Sequence, residues 1–298
     1  MPRSLIIDCD PGLDDAVAIA LASVAPMLAI DAITTVAGNA AIDVTTRNAL
    51  DTIAALDVDV PVYRGAARPL AADPQFGTVL WGGDGALGLP PAHTVSAGDA
   101  IGFLGTTLDR ATPRSITLCP IGPLTNLALV LHARPARAGA IAEMIVMGGA
   151  FHGGNVTATA EFNIWFDPHA AADVFAADIP AIVVPYDLTQ HVVFDAARIA
   201  QLGGAATAAA QTCASLLPLA GSDSHPSSIH DACTIGWLLW PELFASETGC
   251  VSVDSAAGDD FGRTRFRADP AGRHRILTGV DRERFLDAMV AALSGAAV

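Results

Sequence analysis

The chain has 298 residues, of which 52% are hydrophobic and 16% charged, so it is long and apolar enough to bury a sizeable core. Its net charge of −15 makes nucleic-acid backbones and anionic membrane surfaces unfavourable partners. All 16 basic residues are arginine, which excludes mechanisms that depend on a Schiff-base lysine or a phosphate-clamping lysine.

The cysteines and the apolar segments indicate the cellular compartment. The 5 cysteines are scattered without C-x-x-C spacing, which favours reduced core thiols over a disulfide framework or a zinc site. Only a short apolar run precedes Asp8, so the N-terminal segment lacks the plan of a signal peptide. No uninterrupted apolar stretch reaches membrane-spanning length. We therefore expect a soluble, cytoplasmic protein.

Short apolar, β-branched runs alternate with alanine- and leucine-rich segments along most of the chain. The runs predict strands at residues 4–8, 28–38, 59–65, 115–122, 143–149 and 181–189. The segments between them predict helices at residues 13–24, 41–56, 123–135 and 167–178. This βαβα rhythm predicts one α/β domain spanning residues 1–298, with a mostly parallel central sheet and helices on both faces.

Three segments depart from this rhythm. Residues 70–98 are rich in glycine and proline and are predicted to form a loop near the site. Residues 203–228 include an alanine-rich stretch and then "AGSDSHPSS" at residues 220–228, which is predicted to be mobile. Residues 262–276 alternate arginine with other residues, as in a half-exposed hairpin. For these arginines a solvated strand face is favoured over an anion site.

Four aspartates crowd the end of the first predicted strand, at positions 8, 10, 14 and 15. Ligands of open α/β sheets bind at the carboxyl ends of the strands, where Asp8 and Asp10 fall. Asp14 and Asp15 fall in the first turn of the next helix, where helix capping is the ordinary explanation for one or two carboxylates. Four are more than capping requires, and carboxylates are the ligands that Ca²⁺ or Mg²⁺ prefers. The cluster favours a divalent cation over capping alone.

Polar residues also mark three later stretches. His230 and Asp231 precede an apolar helix, where each alone would be an ordinary surface histidine and first-turn carboxylate. Glu161 and Asn163 lie on one side of an extended segment, which suits paired hydroxyls such as those of a sugar, although a turn can also use them. The segment "CPIGPLTNLAL" opens a strand-to-helix turn whose carbonyls can lack partners inside the helix.

Taken in order, five stretches resemble the nucleoside hydrolases, the inosine–uridine-preferring N-ribohydrolases. They are "DCDPGLDDAVAIALA", "TTVAGNA", "GPLTNLA", "VMGGAF" with "GNVTATAEFNIWFDPHAA", and "HDACTIGWLL". The opening motif together with "EFN" and "HD" is specific, and the resemblance runs from about residue 4 to at least residue 240. It implies the Rossmann-like nucleoside hydrolase fold and hydrolysis of ribonucleosides to free base and ribose.

The resemblance also implies the roles of individual residues. It implies a Ca²⁺ held by Asp10, Asp15, the backbone carbonyl of Thr125, and Asp231. It implies a nucleoside site formed by Asp14, Asn39, Glu161 and Asn163 on the ribose hydroxyls, Asn155 near the 5′-hydroxyl, and Met147 in the pocket lining. Asp8 would orient these carboxylates without contacting the metal or the ribose itself. The partners implied are a small-molecule ribonucleoside and further copies of the chain, as a homodimer or homotetramer.

The implied chemistry accounts for the crowded negative charge. A calcium-held water, deprotonated by Asp10 as general base, attacks C1′ while the N-glycosidic bond breaks. The carboxylates stabilise the positive charge that develops on the ribose ring, and His230 protonates the departing base. Base preference stays open, because Trp81 stands where relatives often carry a histidine. Trp81 either stacks on the base or packs on its own domain.

Two alternatives are weighed against this function. An aspartate-nucleophile phosphatase also has "DCD" after a strand, but it needs Mg²⁺ and normally a phosphate-binding lysine, which this chain lacks. A non-catalytic protein that binds nucleosides or ribose on the same fold is the second alternative. Against it, every metal and general-base position of the family pattern is filled.

Overall fold

The computed structural model describes residues 2–71, 73, 75–78, 83–91, 98–220 and 228–296. Its strands are β1 (Arg3–Cys9), β2 (Leu28–Thr35), β3 (Val62–Arg64), β4 (Ile116–Pro120), β5 (Ile141–Met147), β6 (Ala181–Val184), β7 (Phe244–Val253), β8 (Thr264–Ala268) and β9 (His274–Val280). The first six α-helices are α1 (Leu13–Ser23), α2 (Ile42–Ala55), α3 (Ala100–Arg110), α4 (Thr125–Ala133), α5 (Phe162–Phe166) and α6 (Pro168–Ala176). The others are α7 (Tyr186–Thr189), α8 (Ala196–Gly204), α9 (Ala208–Ala220), α10 (Ala232–Leu239) and α11 (Arg282–Leu293).

The described strands form one 9-stranded sheet in the order β3-β2-β1-β4-β5-β6-β9-β7-β8. In this spatial order, the strands β3, β2, β1, β4, β5, β6 and β9 are parallel to their neighbours in that series. Strand β7 is antiparallel to both of its neighbours, β9 and β8. The α/β prediction with a mostly parallel sheet is therefore confirmed. The chain runs outward from β1 to β3 and then returns to the other side of β1 to start β4. This reversal opens a crevice at the carboxyl ends of β1 and β4, where open α/β sheets bind ligands.

Side-chain alternation on the strands divides the core between the two faces of the sheet. On β1, Leu5 and Ile7 face one hydrophobic cluster and Ile6 faces the other. The first cluster is covered by α1, α2, α9, α10 and α11, and the second by α3, α4 and α6. Both faces of β1 are thus buried, and Asp8 and Asp10 at its carboxyl end are also buried.

Two expectations about local structure are wrong. Residues 186–189, at the end of the run 181–189 expected to be a strand, form helix α7. The alanine-rich residues 208–220 form helix α9, in agreement with the helix propensity of alanine, and residues 221–227 of the segment expected to be mobile lie outside the described residues. The segment 262–276 is not a hairpin, because β8 and β9 do not pair with each other and instead flank β7 on opposite sides. Arg265 in β8 pairs with Asp254 and Asp260, as expected for a solvated strand face. Among the described residues, no helix combines the length and hydrophobicity needed to cross a membrane.

Candidate active site

A cavity of about 790 Å³ opens at the carboxyl ends of β1, β4, β5 and β6. The residues predicted from the sequence that line it are Asp10, Asp14, Asn39, Met147, Asn155, Glu161, Asn163, His230 and Asp231. Asp15 and Thr125 are fully buried and are not part of this lining. Trp81 lies outside the described residues, so its predicted place against the base has no structural account.

Asp10 is held in a close-fitting cradle at the end of β1. Its Oδ2 accepts a hydrogen bond from the backbone N–H of Asn39 at 2.7 Å, and the Asn39 side chain donates to the Asp10 carbonyl at 3.1 Å. Glycines lie against both carboxylate oxygens. A Cβ at Gly38 would be 2.2 Å from Oδ2, and one at Gly122 would be 2.5 Å from Oδ1. The carboxylate is therefore fixed by close backbone approach from two loops.

Asp15 lies behind Asp10 and is bound to the turn that precedes α1. Its two oxygens accept the backbone N–H of Asp10 at 3.2 Å and that of Gly12 at 2.8 Å. Helix capping thus accounts for part of the role of Asp15. It does not account for Asp231, which lies at the N-cap position directly before α10 with helical backbone angles, and whose side chain accepts no capping hydrogen bond.

Three carboxylates from two distant segments meet beside the cavity. One oxygen each of Asp14, Asp15 and Asp231 can be chosen so that all lie within 4.8 Å of one another. Burial, reinforced by neighbouring carboxylates, raises the pKa of Asp231 well above its ordinary value, and the pKa values of Asp14 and Asp15 are raised chiefly by burial. Negative groups this close need protons or a cation, and oxygen donors suit a hard divalent cation. The residues present therefore fit a metal ion.

The predicted ligand set and the observed cluster overlap without being identical. Asp15 and Asp231 belong to both, whereas Asp14, predicted to bind ribose, joins the cluster in place of Asp10. Burial and the charge of Asp15 raise the pKa of Asp10 as well, so its carboxylate shares the same electrostatic environment. Thr125 begins α4, and its hydroxyl donates to Asp167 at 2.7 Å, which fixes the turn that carries the Thr125 carbonyl.

Asp8 connects three elements beneath this cluster. Its Oδ1 accepts hydrogen bonds from the Thr34 hydroxyl at 2.5 Å and from the Asn126 amide at 2.7 Å. Burial raises the pKa of Asp8 to about 6. Its Oδ2 has no hydrogen-bond partner among the described residues. Asp8 does not line the cavity, so its contacts suit the orienting role expected of it.

The opposite wall presents oriented polar groups. Glu161 precedes α5, and its oxygens accept the backbone N–H groups of Asn163 at 2.8 Å and Gly149 at 2.8 Å. The Asn163 amide donates to the carbonyls of Ile121 at 2.9 Å and Met147 at 3.2 Å. These bonds connect the ends of β4 and β5 and hold both side chains in fixed orientations.

Asn155 and His230 occupy two further positions on the cavity wall. Asn155 Oδ1 accepts the Phe162 N–H at 2.9 Å. His230 Nδ1 lies 2.7 Å from the Thr189 hydroxyl, and the ring stacks on Tyr186 with centroids 5.7 Å apart. Burial lowers the pKa of His230, and the negative charge of Asp14 partly offsets this effect.

Sequence reasoning missed several lining residues, which are Tyr186, Gln190 and Ser228 on the side of His230. Tyr186 lies two residues beyond the end of β6. The rule that ligands bind at the carboxyl ends of strands was therefore a usable signal for it. Gln190 lies four residues beyond Tyr186. Ser228 pairs with Val193 in an isolated bridge that depends on the tertiary fold, so no local pattern indicates it.

The fold and this cavity together resemble one class of hydrolase, and comparisons with known proteins identify it. The family model for inosine-uridine preferring nucleoside hydrolases matches residues 5–287. The chain is 35% identical over 309 aligned positions to the pyrimidine-specific ribonucleoside hydrolase RihA of Salmonella schwarzengrund, covering 98% of this chain and 99% of the relative.

Solved structures agree with the family match. A plant nucleoside hydrolase, PpNRh1, superposes with a TM-score of 0.87 at 28% identity over 99% of both chains. A purine-preferring ribonucleoside hydrolase from Gardnerella vaginalis superposes with a TM-score of 0.89 at 26% identity over 98% of both chains.

The chain therefore belongs to the inosine-uridine preferring nucleoside hydrolase family. It is an enzyme, a ribonucleoside N-ribohydrolase, as the resemblance predicted. Membership of this family rules out the aspartate-nucleophile phosphatase, in agreement with the absence of lysine from the chain.

Proposed function

We propose that the enzyme hydrolyses the N-glycosidic bond of ribonucleosides with the help of a bound Ca²⁺. The convergence of the Asp14, Asp15 and Asp231 carboxylates beside a cavity of about 790 Å³ is the observation that carries this proposal. Oxygen donors that are buried, crowded and mutually repulsive are stabilised by a hard divalent cation. The ligands proposed are Asp10, Asp15, the Thr125 carbonyl and Asp231, with Asp14 at the same cluster.

When bound, the cation would supply positive charge that orients the ribose hydroxyls and lowers the pKa of an adjacent water. Asp10 accepts the proton of that water while the water oxygen bonds to C1′, and the bond between C1′ and the base nitrogen breaks. The bond electrons leave with the base, which takes a hydrogen bond or a proton from His230.

Fixed negative groups on the chain stabilise the positive charge that develops on the ribose ring. Asp14 and Glu161 line the same cavity and supply such charge without reorganisation at the moment of reaction. Glu161, Asn163 and Asn39 are each oriented by backbone hydrogen bonds, as a site for paired hydroxyls requires. Asn155 is proposed to contact the 5′-hydroxyl, and Met147 to line the ribose pocket.

Pyrimidine ribonucleosides are the first substrates to test. The RihA relative named above is pyrimidine-specific and aligns with 98% of this chain. Tyr186, Gln190 and Ser228 form the described part of the wall around His230 that a base would meet. The cytoplasmic location and the homodimer or homotetramer stay predictions from the sequence.

The test measures ribose release from uridine, cytidine, inosine, adenosine, guanosine and nicotinamide riboside. Wild type is compared with Asp10→Asn and with Asp59→Asn, an exposed aspartate outside the cavity, each after chelation and after re-addition of calcium. We expect calcium-dependent turnover that falls by at least about 100-fold in Asp10→Asn and persists in Asp59→Asn. Absence of turnover on the whole panel by calcium-loaded wild type would instead favour a non-catalytic nucleoside-binding role.

A further inference from the structure

Thr189 lies directly behind His230, outside the cavity lining. It is the last residue of helix α7, it is fully buried, and its Oγ1 lies 2.7 Å from His230 Nδ1. Its backbone N–H donates to the Pro185 carbonyl at 3.1 Å, which anchors it to the end of β6. Among the described residues, His230 is the one hydrogen-bond partner of the Thr189 hydroxyl. The two residues are 41 positions apart in the chain.

We propose that Thr189 is a positioning residue for His230, which turns the imidazole so that Nε2 faces the departing base. This inference rests on the proposed role of His230 in the hydrolase reaction. Nδ1 is engaged by a buried group behind the cavity wall, so the opposite edge of the ring is left for the substrate. Tyr186 stacks on the ring at an interplanar angle of 30° and restricts its tilt. The Thr189 hydroxyl then sets the rotation within that plane.

A hydroxyl is suited to this position because it both donates and accepts hydrogen bonds. It donates to Nδ1 when that nitrogen carries a lone pair, and it accepts when Nδ1 carries a hydrogen. When Nε2 gives its proton to the base, Nδ1 keeps its hydrogen, so the Thr189 hydroxyl continues to accept the same hydrogen bond and the ring keeps its orientation. Valine has nearly the same shape but does neither, and serine retains both capacities.

The main chain around His230 does not depend on this hydroxyl. The N–H of Ile229 donates to the Val192 carbonyl at 3.1 Å, and Ser228 forms a bridge with Val193. These contacts hold residues 228–230 against residues 189–193 when the hydroxyl is removed. Thr189→Val is thus expected to free the ring of His230 without displacing its backbone.

The experiment uses two substrates that differ in their need for a proton. Uridine, or the best nucleoside of the panel, leaves as a base that needs a hydrogen donor. The second substrate is 4-nitrophenyl β-D-ribofuranoside, whose leaving group, 4-nitrophenolate, departs without a hydrogen donor. The variants are Thr189→Val, Thr189→Ser, His230→Gln and the double variant Thr189→Val/His230→Gln. Thr212→Val is the matched control, because Thr212 is a buried helical threonine whose hydroxyl, among the described residues, donates to the Ala55 carbonyl and does not contact His230.

Thr189→Val is expected to lower kcat on the nucleoside about tenfold, as for loss of one hydrogen bond to a reacting group. It should leave cleavage of the nitrophenyl riboside within about twofold of wild type, since positioning the acid matters only for a poor leaving group. Thr189→Ser should restore most of the nucleoside kcat. In the His230→Gln background, Thr189→Val should cost nothing further, because Thr189 acts through the imidazole.

Equal loss on both substrates, or a full further loss in the His230→Gln background, would overturn the inference and assign Thr189 a purely structural role. If wild type hydrolyses nucleosides of the panel in the same assay, such a result counts against the role of Thr189 and not against the hydrolase function. If wild type cleaves neither the panel nor the nitrophenyl riboside, both the proposed function and this inference are overturned.

Discussion

Replacing Gly122 with alanine places a methyl group against the Asp10 carboxylate. The added Cβ would lie 2.5 Å from Asp10 Oδ1 and 3.0 Å from the Asp10 backbone nitrogen, whereas ordinary contacts begin at 3.4 Å. The overlap of roughly 0.9 Å cannot be relieved by the buried backbone, so the carboxylate must rotate. Rotation breaks the 2.7 Å hydrogen bond that Asp10 Oδ2 accepts from the Asn39 N–H.

The effect on activity should greatly exceed the effect on stability. A displacement of about 1 Å in a reacting group costs about 100-fold in rate, so kcat on the best nucleoside should fall about 100-fold. Overpacking of this kind costs about 1–3 kcal/mol. With an unfolding entropy of roughly 0.6 kcal/mol/K for a chain of this length, Tm should fall by only about 2–5 °C.

Steady-state hydrolysis and thermal unfolding are measured on the same preparation, with Gly139→Ala as the matched control. Gly139 is exposed in a 3₁₀ turn, and a Cβ built there meets no described atom within 4 Å. The control should keep wild-type kcat. A Gly122→Ala enzyme with kcat within threefold of wild type would refute the close-packed cradle, or the role of Asp10 within it.

Two further outcomes follow from the buried titratable groups. Calcium at one fixed concentration, 100 times its Kd at pH 8, should raise the Tm of chelated protein at pH 8 by about 4 °C, from about 2.7 kcal/mol of binding free energy. The rise should be larger at pH 8 than at pH 5.5, because burial raises the folded-state pKa of Asp231 and the unbound protein loses stability as pH rises through that pKa. Equal Tm values with and without calcium at pH 8 would count against the cation site. The second outcome concerns His274, whose pKa is lowered from 6.5 to about 4 by burial, with a contribution from Arg273. The neutral His274 ring therefore contributes stability to the folded protein above pH 6.5, and this contribution is lost as pH falls toward 4. Between pH 7 and pH 4.5, the Tm of wild type should therefore fall by more than the Tm of His274→Asn. The amide oxygen of that variant can still accept the Val251 N–H, so the hydrogen bond is kept. Equal falls in Tm for the two proteins would contradict this assignment.

Helix capping accounts for only part of the crowded aspartates, and the structure shows which part. Asp15 accepts backbone N–H groups from the turn before α1, as a capping carboxylate does. Asp231 lies at the N-cap position of α10, more than 200 residues away in the chain, and its side chain makes no capping hydrogen bond, yet its carboxylate meets those of Asp14 and Asp15. Capping is a local interaction and gives no reason for that convergence.

Most of the elements could be predicted from the sequence because their signals are local, whereas most of the predicted cavity lining came from the family resemblance. Apolar alternation and helical spacing depend on neighbouring residues, so the predicted strands and helices correspond to β1 to β6 and to α1, α2, α4 and α6, whereas α3 and α5 were not predicted. The aspartates at the end of β1 are also informative, because the carboxyl ends of parallel strands share one edge of the sheet. The "EFN" and "HD" positions, predicted through the family resemblance, likewise line the cavity.

Only the tertiary structure decided contacts that depend on strand order and on loops from distant parts of the chain. β8 and β9 follow each other with a turn between them, as in a hairpin, yet β7 lies between them in the sheet and pairs with both. The glycines around Asp10 and the hydroxyl behind His230 arrive from other elements. A local pattern records which residues can form a strand or a helix. Which side chains then meet is set by packing of the whole chain, and that packing places the Thr189 hydroxyl against the His230 imidazole.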